Sequence, residues 1–154
     1  MDKLPLLGPG HLEILGNRVI GISSLRVPFH DADPAGVVWH GNYFKYFDAA
    51  RCVVLDAMEY GYAEMAESGY VWPVVDARIK YVSAIYYDET ITVRADLAEA
   101  EYRLKFEYEI LGANGARRAS GYTIQVAVEA GSGEMRFGVP EFVKDRVKCL
   151  IKTS

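Results

Sequence analysis

The spacing of apolar residues changes once along this chain, from steps of three and four to steps of two. Between Asn42 and Tyr60 the apolar positions are Tyr43, Phe44, Phe47, Ala50, Val54, Leu55 and Met58. Steps of that size collect on one side of a helix, here about five turns long. Lys45, Asp48, Arg51 and Asp56 fall mostly on other faces. Asn42 suits the N-cap and Gly61 the stop. Residues 62–70 predict a short second helix ended by Gly69. Before the long helix, Val19 to Phe29 is β-rich, and Pro28, which cannot donate to a ladder, marks an edge or the strand's end. After it, alternation takes over. Val75, Ala77, Ile79 and Tyr81 alternate with mostly polar residues inside a run over 71–87. Ile91, Val93, Ala95 and Leu97 share a face over 90–97, as do Leu104, Phe106, Tyr108 and Ile110 over 103–111. Asn114-Gly115 predicts a hairpin into a strand over 117–129, whose apolar face carries Tyr122, Ile124, Val126 and Val128. A C-terminal helix starts at Pro140, with Phe142, Val143, Val147 and Leu150 as its stripe.

One long apolar helix ahead of a meander of alternating strands is buried if the sheet curls around it. The expected class is therefore α+β: a curled antiparallel β-sheet wrapped around one long central α-helix, the hot-dog fold. Residues 1–18, with Gly8, Pro9, Gly10 and Gly16 and no sustained period, read as an N-terminal arm, and 19–150 as a single domain. The outer sheet face and the edge strands of such a fold need a partner, so a homo-oligomer, dimer or tetramer, is expected.

Charge and composition narrow the partners. The formal net charge is -4 and the basic residues are scattered, which leaves no footprint for nucleic acid or an anionic membrane. The N-terminal apolar patch is short and broken by prolines, and no apolar run approaches the roughly 20 residues that span a bilayer. The expected location is the cytoplasm. Cys52 and Cys149, read as reduced, have no metal-like spacing, and the 3 histidines add no ligand cluster, so neither a metal nor a cofactor is expected.

Candidate chemistry concentrates in Phe29-His30-Asp31-Ala32-Asp33-Pro34-Ala35-Gly36-Val37-Val38-Trp39-His40-Gly41-Asn42-Tyr43. Two carboxylates precede a Pro-Ala-Gly turn, and the turn runs into the start of the long helix. A carboxylate beside unpaired amides at a helix N-terminus suits acyl transfer. Both aspartates equally suit Asx-type turns, and His40 suits a helix start whose ring only orders the loop. The stretch resembles the signature of hot-dog acyl-CoA thioesterases of the 4-hydroxybenzoyl-CoA thioesterase family, and of related short-chain enzymes associated with the Tol–Pal system. That pattern, roughly D-x-D-x-x-G-x-V-x-H/F-x-x-Y, is filled by Asp31, Asp33, Gly36, Val38, His40 and Tyr43, with the family's Ala-Arg pair at Ala50-Arg51.

The resemblance implies hydrolysis of an acyl- or aroyl-CoA thioester, coenzyme A being part of the substrate. Asp33 is then the catalytic nucleophile or general base, and Asp31 is structural. The oxyanion and substrate-binding set is the helix start, with the backbone N–H of His40 or Gly41, and Tyr43, whose spacing also suits the core. A rival carboxylate is Asp48, since another branch of hot-dog thioesterases uses an acidic residue on the central helix. Arg103 and Lys105 match the position of the family's basic contacts to coenzyme A, with Arg117 and Arg118 as second candidates. Other readings are a thioesterase acting on an acyl carrier protein, a hot-dog hydratase or dehydratase using His40 with Asp33 or Asp48, and an acyl-CoA sensor.

Overall fold

The computed structural model describes residues 10–153. Two strands, β1 (Gly10–Leu15) and β2 (Arg18–Arg26), precede the long helix α1 (Tyr43–Ala57) and the short α2 (Tyr62–Ser68). Six further strands and a helix follow: β3 (Tyr70–Val71), β4 (Val74–Tyr81), β5 (Thr90–Glu99), β6 (Leu104–Leu111), β7 (Arg117–Gln125), β8 (Val128–Glu129) and α3 (Glu141–Lys152). The main sheet has 6 strands in the order β1-β2-β5-β6-β7-β4, and every pair is antiparallel. The α1 helix lies on one face of it, and its buried residues join those of β2, β5 and β6 in one core. This is the hot-dog arrangement expected from the period change.

Most of the predicted stripe of α1 is buried: Tyr43, Phe47, Ala50, Val54, Leu55 and Met58. Phe44 is instead half exposed at the flank, while Tyr46 and Arg51 are buried. Two backbone contacts show how closely helix and sheet approach. A Cβ on Gly21 of β2 would stand 2.5 Å from the Ala50 carbonyl oxygen, and one on Gly121 of β7 would run into the Phe47 ring.

Gly121 explains why β7 faces the opposite way from its hydrophobic pattern. The residues of β7 aligned with the inward Ile110, Tyr108, Phe106 and Leu104 are Ala119, Gly121, Thr123 and Gln125. Tyr122 and Ile124 therefore lie on the outer face. At Gly121, between Phe47 and the neighbouring strand, the space admits no side chain, and fit overrides hydropathy.

Other expectations need correction. Residues 10–15, inside the stretch read as an arm, form β1, paired with β2 through a two-residue Gly16-Asn17 connection in which Gly16 has φ 63°. The first nine residues of that arm lie outside the described residues. The run 71–87 breaks at Pro73, which cannot supply an N–H, and β4 ends at Tyr81. Asn42 makes no side-chain cap to α1; its amide group donates to the Asp31 carbonyl at 2.9 Å. Nor does Gly61 stop α1: the left-handed residue there is Glu59, at φ 55°. Gly36 and Gly69 do take positive φ, each 82°.

Candidate active site

The segment between β2 and α1 folds back on itself as a small hairpin. The Trp39 amide donates to the Asp31 carbonyl at 3.0 Å, Ala32 bridges Val38, and the Asp33 amide donates to the Val37 carbonyl at 2.8 Å. Gly36 closes the tip by donating to the Asp33 carbonyl at 2.9 Å. A second layer, residues 82–89, supports the hairpin from behind. The Val38 amide donates to Ile85 at 2.8 Å and the Tyr87 amide to Gly36 at 3.1 Å.

Asp33 sits at the tip of this hairpin with its two oxygens in different states. Oδ1 accepts from the amides of Ala35 at 2.9 Å and Val37 at 3.4 Å, an Asx-type turn. Oδ2 has no hydrogen bond among the described residues. The turn reading and the catalytic reading of this residue are therefore compatible. One oxygen orders the loop and the other has no protein partner among the described residues.

At the base of the hairpin the chain enters α1 through a turn over His40–Asn42, closed by the Asn42 amide to the Trp39 carbonyl at 2.9 Å. The His40 and Gly41 amides precede that bond, so the helix supplies them with no acceptor, and they carry its positive end. Asp33 lies two residue pairs out from Trp39, about 7 Å along the ladder. The His40 side chain is exposed, its ring 4.9 Å from that of Trp39, and Trp39 covers Gly41 so closely that a Cβ there would strike the indole. Tyr81 at the end of β4 pins this entry by donating its hydroxyl to the His40 carbonyl at 2.8 Å. Tyr43 is buried, packed edge-on against Tyr81 at 4.8 Å, as its core spacing suggests.

Asp31 is 2% exposed. Its carboxylate receives Lys45 Nζ at 2.5 Å and the Tyr46 hydroxyl at 2.7 Å. Asp48 lies farther along α1, half exposed, paired with Arg51 at 2.9 Å. Burial pushes the Asp48 carboxyl up, and the Arg51 guanidinium opposes that. Arg51 is itself buried, with Nε and Nη1 unpaired.

Arg103 and Lys105 do not join this group. Leu104 aligns with Gln125 and Gln125 with Val74, whereas the hairpin is tied to Tyr81 at the other end of β4. Seven residues of strand separate the two ends, about 23 Å. Arg103 pairs with Glu99 at 3.1 Å, and Lys105 Nζ lies 5.1 Å from the centre of the Tyr122 ring. Arg117 is paired with Glu109 and Arg118 with Glu89. Among the described residues no group of three His, Cys, Asp or Glu side chains is placed to hold a metal, and no helix is long and apolar enough to cross a membrane.

A curled antiparallel sheet on a central helix, with an aspartate hairpin at that helix's start, is the hot-dog arrangement of the solved structures it resembles. The chain belongs to the thioesterase-like superfamily, whose model matches residues 27–147. It is 31% identical over 77 residues to the 4-hydroxybenzoyl-CoA thioesterase of Pseudomonas sp. strain CBS-3, a match covering 48% of this chain and 55% of that protein. The sequence relatives are matched over 50% to 75% of their own length. Solved structures agree over more of the fold. A DHNA-CoA thioesterase from Staphylococcus aureus superposes with TM-score 0.75 at 24% identity, covering 87% of this chain and 94% of that one. The structure of the Pseudomonas thioesterase superposes with TM-score 0.71 at 22% identity, covering 82% and 98%.

Proposed function

We propose that this chain hydrolyses a CoA thioester, with Asp33 as the reacting carboxylate and the His40 and Gly41 amides as the oxyanion site. The chain is an acyl-CoA thioester hydrolase of the hot-dog type. The observation that carries the reading is the divided state of Asp33: Oδ1 held by the turn, Oδ2 unpaired, at a fixed offset from the helix start. A carboxylate so placed either attacks the carbonyl carbon or takes a proton from an attacking water. In the first case the C–S bond breaks, coenzyme A leaves as thiolate, and water hydrolyses the resulting anhydride. In the second the acid and the thiolate form in one addition–elimination. Both routes put negative charge on the carbonyl oxygen, and amides at a helix N-terminus answer that charge. A thiolate leaves at neutral pH without a strong acid, so one carboxylate and one oxyanion site suffice.

The test is Asp33→Asn, assayed on short, aromatic and long acyl-CoA thioesters. The amide keeps the turn acceptor and removes the base, so the fold should persist while kcat falls on the order of 10²–10⁴-fold. An Asp33→Asn enzyme as fast as wild type on its best substrate ends this assignment.

The same reading makes the enzyme a homo-oligomer built on β4. That strand closes one side of the sheet, is exposed along nearly its whole length, and offers its free edge to a second copy. Two-fold antiparallel pairing of β4 with its mate sets the Val74 end of one chain beside the Tyr81 end of the other. Arg103 and Lys105 of the second copy then stand near the first copy's Asp33, where the phosphates of coenzyme A need cations. Within one chain they belong to opposite ends of β4, a strand about 23 Å long.

A further inference from the structure

Residue 31 is tied by four separate bonds to the start of α1, two reaching the segment that enters the helix and two its first turn. Its carbonyl accepts from the Trp39 amide at 3.0 Å and from Asn42 Nδ2 at 2.9 Å. Its carboxylate takes Lys45 Nζ on Oδ1 at 2.5 Å and the Tyr46 hydroxyl on Oδ2 at 2.7 Å. His30 Nε2, on an exposed ring, stands 3.8 Å from the same Oδ1. Asn42, Lys45 and Tyr46 are spaced three and four apart, so one aspartate holds a full turn of helix from the side. The hairpin that carries Asp33 starts at this residue. Any slackening between residue 31 and α1 shifts Asp33 against the amides it must face.

We propose that Asp31 is a positioning residue for the hydrolysis: its carboxylate, through Lys45 and Tyr46, sets the offset between Asp33 and the start of α1. The inference rests on the reading of Asp33 above. Buried inside the bonds it makes, Asp31 does not touch the substrate. Tyr46 is suited to the task, because burial, and then its bond to Asp31, push its phenol up and keep it a donor.

The test compares Asp31→Asn, Asp31→Ala and Lys45→Met in both the wild-type and the Asp33→Asn background, with folding followed by circular dichroism and thermal melting. Asn keeps an acceptor for Tyr46 and loses only the charge facing Lys45, so its kcat should fall about 10-fold; Ala loses both and should fall about 100-fold, the scale of a misplaced reacting group. KM should stay within about threefold, since Asp31 is buried and bonded only to the chain's own groups. Lys45→Met should match Asp31→Asn. In the Asp33→Asn background the Asp31 substitutions should change little, because the group they position is gone. A folded Asp31→Ala enzyme with wild-type kcat overturns the inference, as does an equal loss in both backgrounds, which marks a general structural role. Wild-type protein inactive on every CoA thioester overturns the reading of the site itself, and this inference with it.

Discussion

Tyr108 lies beneath α1 with the Phe47 ring stacked on it at 4.3 Å and its hydroxyl 2.7 Å from Thr123 Oγ1. Burial, opposed by Arg51 and the Thr123 hydroxyl, leaves this phenol pushed up to about 12. The unfolded chain titrates near 10, so between pH 10 and 12 it releases a proton that the folded chain keeps. Stability is full below pH 10 and falls as the pH rises towards 12, by about 3 kcal/mol from this group. Tyr43 and Tyr46 shift in the same direction. Tyr108→Phe should therefore shallow the alkaline fall in urea midpoint without abolishing it, and lower the neutral-pH value by about 1 kcal/mol for the lost hydrogen bond. A slope unchanged between pH 9 and 11.5 contradicts this. At this scale the sequence was informative about Asp33, Gly36 and Tyr43, whose types and spacing carry the motif. It pointed the wrong way on Arg51, whose spacing and charge suggest an outer face though the residue is 4% exposed, and it was silent about the Asp31–Lys45–Tyr46 set. Those partners are defined by which way the hairpin folds, and no spacing rule encodes that.

The helix–sheet interface depends on residues that are absent as side chains. Gly21 lets β2 pass under Ala50, with Val53 and Val54 close on either side. Gly21→Ala needs either the strand or the helix to move, because the obstructing atom is a backbone oxygen. A cost of about 1–3 kcal/mol follows, read as a lower urea midpoint at unchanged m-value. An alanine enzyme as stable as wild type means that helix and sheet are less closely packed than 2.5 Å implies. Glycines of this kind explain where the elements were legible and where they were not. The strands β5 and β6 alternate as the sequence predicts because both meet the helix through full-sized side chains. In β7 the inward row is Ala119, Gly121, Thr123 and Gln125, so hydropathy points to the wrong face. β1 was hidden because six residues flanked by glycine give periodicity too little length, although Gly16-Asn17 is a two-residue hairpin signal.

The whole molecule raises a different question, since the residues read as one site are split between the ends of one sheet. Asp33 and the helix start are fixed to the Tyr81 end of β4, and Arg103 and Lys105 to the Val74 end. The proposed antiparallel pairing of two β4 edges would unite them across chains, and that proposal predicts complementation. On the proposed reading, Asp33→Asn removes the reacting group of its own chain, and Arg103→Glu with Lys105→Glu removes the cations offered to the partner's site. Each homodimer is then defective, the first in kcat and the second in KM. Co-expressed with different tags, the two chains form heterodimers in which one site has both defects and the other has none. Random assortment makes half the dimers mixed, each with one intact site of two, so activity should recover to about one quarter of wild type. Purification through both tags isolates the mixed species and should raise the value to about one half. If every contact is made within one chain, no mixture exceeds the average of its parents. The comparison is made at low substrate, where a KM defect is visible, and at ionic strength held constant, because phosphate contacts by arginine and lysine weaken with salt.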